Sequence, residues 1–167
     1  ALKAAMTGPL VLSTLHTNDA ISTIDRLLVM GMDRFIRASA VRAVLAQRLV
    51  RKLCDRCRKP IPLTEESAKQ WEISESMMAE GGHAGKSCSE VTIYEPVGCD
   101  KCNEGYRGRI GIYEVLGFDT EMREMIVLGA SNWELWEKAR STGMFTLRES
   151  AVIRVLKGLT SIDEVKR

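Results

Sequence analysis

A chain of 167 residues, 45% hydrophobic and 28% charged, has the composition of a globular protein with one real core. Its 24 basic and 22 acidic residues leave a net charge of only +2, without the basic excess of a nucleic-acid binder. No apolar run approaches the roughly 18 residues of a membrane span and no signal peptide is read in these residues, so no membrane insertion and a cytoplasmic location are expected.

Ala1 to Met6 are strong helix formers that Gly8-Pro9 stops. A start on Ala-Leu-Lys rather than Met reads as the end of a helix within a longer protein. Leu10-Val11-Leu12-Ser13-Thr14-Leu15 is a nearly unbroken apolar run, the pattern of a strand buried on both faces in a parallel sheet. It ends in a polar burst, His16-Thr17-Asn18-Asp19, where the strand ends of α/β sheets carry ligands. Asp19 is placed to cap a helix with Ile21, Ile24, Leu27 and Leu28 on one face, closed by Gly31. Asp33 caps the next, predicted to carry Ile36, Ala40, Ala43, Val44 and Gln47 before a strand at 48–53.

That strand runs into Cys54-Asp-Arg-Cys57, and a second C-x-x-C follows at Cys99-Asp-Lys-Cys102. A redox C-x-x-C comes singly, and disulfides need an oxidising compartment that nothing here suggests. Two pairs of thiolates are the donor set of a closed tetrahedral Zn²⁺ site, and structural zinc is the expectation. Cys88 and His83 are read as loop residues outside it. Between the knuckles, Thr64 to Met78 is predicted as one amphipathic helix, and Val91 to Tyr94 as a strand. The intervening Gly81 to Ser87 ends in Gly-Lys-Ser but lacks the glycine spacing and the following helix of a phosphate loop. Beyond the second knuckle, Arg109 to Val115 is β-prone and pairs with 49–53 as the second leg of a hairpin whose tip is pinned by metal.

The remainder is helical and its boundaries are written in its caps. Asp119-Thr120 precede a helix to Leu128 stopped by Gly129, and Ser131-x-x-Glu134 and Thr146-x-x-Glu149 are capping boxes. Ser161-x-x-Glu164 opens a last turn. Trp133, Trp136, Met122, Met125 and Met144 are expected to pack this bundle. From the residues alone the sequence supports an α/β edge with a possible anion-sensing histidine, together with a zinc lobe.

Four stretches then carry a family resemblance: Leu10 to Asp19; Leu45-Ala-Gln-Arg-Leu-Val-Arg-Lys-Leu-Cys54; Gly98 to Cys102; and Gly105-Tyr-Arg-Gly-Arg-Ile-Gly-Ile-Tyr-Glu114. In order, with Leu147-Arg-Glu-Ser150 and Gly158-Leu-Thr-Ser161, they resemble the bacterial secretion ATPases, the hexameric motors of type II secretion and type IV pilus assembly. The resemblance implies the latter part of a RecA-like P-loop ATPase core with an inserted tetracysteine zinc lobe and a C-terminal helical bundle. It divides the chain into 1–53 (core), 54–105 (zinc lobe), 106–117 (return strand) and 118–167 (helical subdomain).

The same resemblance implies that His16 senses the γ-phosphate, that Thr14, Thr17, Asn18 and Arg48 lie near nucleotide, and that Cys54, Cys57, Cys99 and Cys102 hold zinc. Gln47 stands beside Arg48 in the matching element. ATP and Mg²⁺ are the implied cofactors of the whole protein. Its implied partners are a homohexamer and an inner-membrane platform protein at the cytoplasmic face, with no nucleic acid and no membrane insertion. Pro9 departs from the family's usual His, and Cys102-Asn-Glu-Gly-Tyr106 is one residue shorter than usual in type II secretion, which leans toward the pilus branch. Walker A and Walker B residues are absent from these 167 positions, so the chain by itself is expected to be inactive. The competing class is a zinc-stabilised interaction module without catalysis. The unpartnered strand at 10–15 counts against it.

Overall fold

The computed structural model describes residues 2–166. Its elements in chain order are α1 (Leu2–Ala5), α2 (Ser22–Val29), α3 (Arg34–Ala40), β1 (Ala43–Leu53), β2 (Lys59–Pro62), α4 (Glu65–Gln70), α5 (Glu75–Glu80), β3 (Thr92–Glu95), β4 (Tyr106–Gly117), α6 (Thr120–Leu128), α7 (Asn132–Ser141), α8 (Leu147–Leu156) and α9 (Ile162–Val165). The chain forms two compact units, Ala1–Ala46 with Tyr113–Phe145 and Gln47–Ile112 with Thr146–Arg167. The hairpin legs foreseen around the knuckles are the hydrogen-bonded neighbours β1 and β4.

In the first unit, short polar residues start the helices as their sequence positions require. Asp19 accepts from the Ser22 amide at 2.7 Å, and Asp33 from the Ile36 amide at 2.8 Å. Asp119 accepts from the Met122 amide at 2.7 Å, and these bonds hold its carboxyl below the ordinary aspartate value. Gly129, at φ +85°, ends α6 in the left-handed conformation that glycine adopts without strain. These helices turn Ile24, Leu27, Met122, Ile126 and Leu135 into one core with Leu116 and Phe118 of the β4 end. Met144 is buried there and Met125 packs against it.

Three expectations for this unit need correction. The helix capped by Asp33, α3, stops at Ala40, because Val41 is extended, and Ala43, Val44 and Gln47 belong to β1. The apolar run at 10–15 joins no sheet among the described residues. Leu10 and Leu12 are 82% and 88% exposed, since a strand of this type is stable only between parallel neighbours. Trp133 is 64% exposed and stacks on Trp136 at 5.3 Å instead of entering the core.

The second unit holds a small antiparallel sheet, with β2 paired to β3 from Lys59↔Glu95 to Pro62↔Thr92. β2 carries two prolines, which lack the amide that a ladder uses; in a two-stranded sheet each strand has an open edge that tolerates them. The single helix predicted at 64–78 is two. Glu72 takes φ +52°, and Ser74 restarts the chain as the cap of α5, accepting from Met77 N at 3.3 Å. α8 is buried along Ser150 to Ile153 and again at Val155 and Leu156. α5 ends against it, for a Cβ on Gly81 would lie 2.9 Å from that of Leu156.

Near the chain's end the buried Glu164 accepts from the Arg51 amide at 2.9 Å and from Arg51 Nε at 2.8 Å. The Arg51 guanidinium in turn lies 4.1 Å over the Tyr106 ring, whose hydroxyl meets Ser161 Oγ at 2.6 Å. Removing the carboxylate strands both donors. Glu164→Ala is therefore expected to destabilise this unit by about 2–3 kcal/mol, read as a lower urea midpoint, and an unchanged midpoint would show that Arg51 finds water at no cost.

Candidate functional site

The four knuckle cysteines converge in the second unit, and backbone geometry explains why. Cys57 and Arg58 donate their amides to the Cys54 carbonyl at 3.3 and 3.0 Å, and Cys102 donates to that of Cys99 at 3.3 Å. Each C-x-x-C is thus a tight turn that brings its two sulfurs to one side. The Cys54 amide donates to the Gly105 carbonyl at 2.8 Å, tying the first knuckle to the start of β4. Gly105 has φ +85°, and a Cβ there would stand 2.5 Å from that of Pro96. Glycine is required at this close approach.

The sulfur separations test whether zinc fits. They are 3.6 Å for Cys99–Cys102, 3.7 Å for Cys57–Cys102 and 3.9 Å for Cys54–Cys99, and all four sulfurs lie within 4.8 Å of one another. A tetrahedron with Zn–S bonds of roughly 2.3 Å has edges of about 3.8 Å. The donor set fits a closed tetrathiolate site, and the separations are far beyond a disulfide bond. Amides stabilise the sulfurs from outside, with Gly98 N 3.4 Å from Cys57 Sγ and Cys99 N 3.2 Å from Cys102 Sγ. Without metal, burial pushes the Cys57 thiol up to about 11 against the Gly98 amide, which favours thiolate. Zinc bound there would hold the two knuckles together, with every corner filled by sulfur and none open for a reactant.

Cys88 and His83 stand outside the cluster. Cys88 opens a 3₁₀ turn, and His83 Nε2 lies 3.0 Å from the Leu156 carbonyl, joining the glycine-rich loop to α8. The loop of 81–87 runs into that turn and then β3, with no α-helix after Lys86-Ser87. It is not a phosphate loop.

The histidine loop lies in the first unit. Thr14, His16 and Asn18 are exposed, and Thr17 is half-buried with its hydroxyl 2.9 Å from that of Thr23. Beyond them the chain is pinned firmly. Asp19 takes both the amide and the hydroxyl of Ser22 at 2.7 Å, and the Ala20 amide donates to Glu114 Oε1 at 2.7 Å. Glu114 is only 5% exposed. Its signal in the sequence is a lone carboxylate in the β-prone run 109–115, the pattern of a buried acceptor. Gln47 and Arg48 are exposed on β1. Of the residues singled out from the sequence, the four cysteines are brought within 4.8 Å of one another at their sulfurs.

Comparison with known proteins follows the same lines. The family model described as "Type II/IV secretion system protein" matches residues 1–167. The type IV pilus assembly ATPase PilB of Myxococcus xanthus is 43% identical over 98% of this chain, which spans 28% of that protein. PilB of Acinetobacter baylyi is 41% identical over the whole chain, again over 28% of its own length. The type II secretion system protein E of Dickeya dadantii is 42% identical over the whole chain and 31% of its own length. The chain therefore spans less than a third of these curated relatives. Among solved structures, the pilus retraction motor PilT with bound ADP matches 98% of this chain and 33% of its own at a TM-score of 0.56 and 21% identity. That likeness establishes the α/β fold expected from the sequence.

Proposed function

We propose that this chain, which belongs to the type II/IV secretion system protein family, is the zinc-bearing C-terminal portion of a motor ATPase that drives type IV pilus assembly or type II secretion. The observation that carries the reading is the convergence of Cys54, Cys57, Cys99 and Cys102 within a chain that aligns from end to end with pilus assembly and secretion ATPases. Residues 1–53 and 106–117 contribute to the ATPase core, 54–105 form the zinc lobe and 118–167 the helical subdomain. ATP with Mg²⁺ is hydrolysed by the whole protein, whose remaining elements supply the groups that cradle the phosphates. No catalytic turnover is assigned to these 167 residues alone.

In this reading His16 senses the γ-phosphate, with Thr14, Thr17, Asn18 and Arg48 as polar neighbours of the nucleotide. The pinning of Asp19 and Ala20 beside it supports the assignment, because a sensor on a fixed base can pass a small change at the phosphate to the helix that follows, α2. Exposure of His16 leaves its imidazole available to a ligand or a neighbouring subunit. The working form is a homohexamer that acts on an inner-membrane platform protein from the cytoplasmic side. No helix among the described residues is long and apolar enough to cross a membrane.

The identities to PilB and to the secretion protein E lie too close together to separate the two branches. An in-frame deletion of the codons for residues 54–105 in the source organism separates them. Loss of surface pili with normal protein export assigns pilus assembly, and the reverse assigns secretion. Piliation and export both at the level of the parent strain would overturn the proposal.

A further inference from the structure

The first unit contains a cavity of about 320 Å³ whose lining includes Asp25, Arg34, Arg37, Gly129, Ser131 and Asn132. None of these belongs to the histidine loop or to the metal centre. Two observations distinguish it from an ordinary packing defect. The first is Arg37, only 4% exposed, whose Nη1 donates to the Ile24 carbonyl at 3.0 Å while its buried Nε has no partner. A guanidinium stays charged in proteins, and a buried donor without an acceptor is costly. Burial, and after it the charge of Arg34, hold the Arg37 value below that of an ordinary arginine against the opposing carboxylates of Asp25 and Asp33.

The second observation is that the nearby carboxylates are held by neutral donors. Asp25 accepts from the Asn132 side-chain amide, and Asp33 from the Ile36 amide. Glu134 closes the capping box by accepting from Ser131. Among the described residues neither Arg34 nor Arg37 forms an ion pair. Gly129 makes the arrangement possible, since a side chain there would collide with the Arg34 guanidinium. The first turn of α7, at Ser131 and Asn132, adds the positive end of a ten-residue helix to the same cavity.

Two guanidiniums, an orphaned buried N–H and a helix start thus surround one small space whose lining carboxylate, Asp25, is held by Asn132. We propose that this cavity binds an oxyanion, the phosphate or carboxylate group of a small molecule, through Arg37 Nε, Arg34 and the first turn of α7. Its volume is at the lower end of small-ligand pockets, enough for the charged group and a short attached skeleton.

The Nε–Hε signal of Arg37 reports on this site directly, whatever else the protein binds. It is followed by ¹H–¹⁵N spectroscopy on the full zinc-loaded chain during titration with sodium phosphate, sodium acetate and, at matched ionic strength, sodium chloride. A saturable shift with phosphate or with acetate, at concentrations where chloride does nothing, is the expected result; whichever anion saturates at the lower concentration identifies the group. Arg34→Ala, a change at an exposed position that leaves the core intact, is expected to raise the half-saturation concentration about tenfold or more. An Arg37 signal that answers phosphate and acetate no differently from chloride overturns the proposal, as does an Arg34→Ala chain of unchanged affinity.

Discussion

Cys57→Ser is expected to leave the chain without zinc and the lobe at 54–105 without fixed structure. The expected size follows from what holds that lobe together. Its regular elements are two strands of four residues and two helices of six, each too short to persist alone. Structural zinc sites of this kind contribute apparent binding energies of about 10–16 kcal/mol, as much as the whole stability of an ordinary domain. A serine hydroxyl does not replace a thiolate, and Cys102, whose sulfur lies 3.7 Å from that of Cys57, would face an open corner. α6 and α7 lie in the other unit, with their own core and their own caps, and their helical far-UV signal is expected to survive. Metal analysis and amide exchange at Ile61 and Ile93 in the β2–β3 ladder check the result together. An unchanged zinc content would sink the four-sulfur assignment.

His16→Ala in the complete protein is expected to lower ATP turnover about 100-fold or more while nucleotide affinity changes little. The reasoning is that a group sensing the γ-phosphate acts on hydrolysis and on the movement that follows, and contributes little to holding the rest of the nucleotide. The substitution itself is structurally mild. His16 is exposed, and the bonds that fix the neighbouring chain belong to Thr17, Asp19 and Ala20. A fall in kcat without loss of folded protein would thus report on chemistry or coupling, not on stability. Turnover equal to that of the unsubstituted protein would make His16 a plain surface residue.

The parts of this molecule that were legible beforehand are those fixed by local chemistry. Asp33, Asp119, Ser131, Thr146 and Ser161 each cap the helix that their spacing announces, because an orphan amide two or three residues on needs an acceptor whatever the tertiary structure. The cysteine pairs were legible for the same reason, since a C-x-x-C turn can aim two sulfurs together by itself. What depended on distant partners was not. Glu72 breaks a helix that periodicity joins, and α5 restarts where Met77 and Met78 find their burial. Pro60 and Pro62 sit in a strand because Thr92–Glu95 happens to offer the other half of a ladder. Leu10 and Leu12 stand exposed because no strand among the described residues pairs with that run. Glu114 and Arg37 owe their burial to elements far away in sequence, and no spacing rule marks either of them.

The central proposal is tested most directly by Mg²⁺-dependent ATP turnover of the complete protein, measured beside the 167-residue chain with zinc loaded in both. Steady turnover by the complete protein and none by the chain alone is the result predicted for the zinc-bearing portion of a motor ATPase. A complete, folded and zinc-loaded protein that leaves ATP intact would contradict it and favour a zinc-stabilised interaction module.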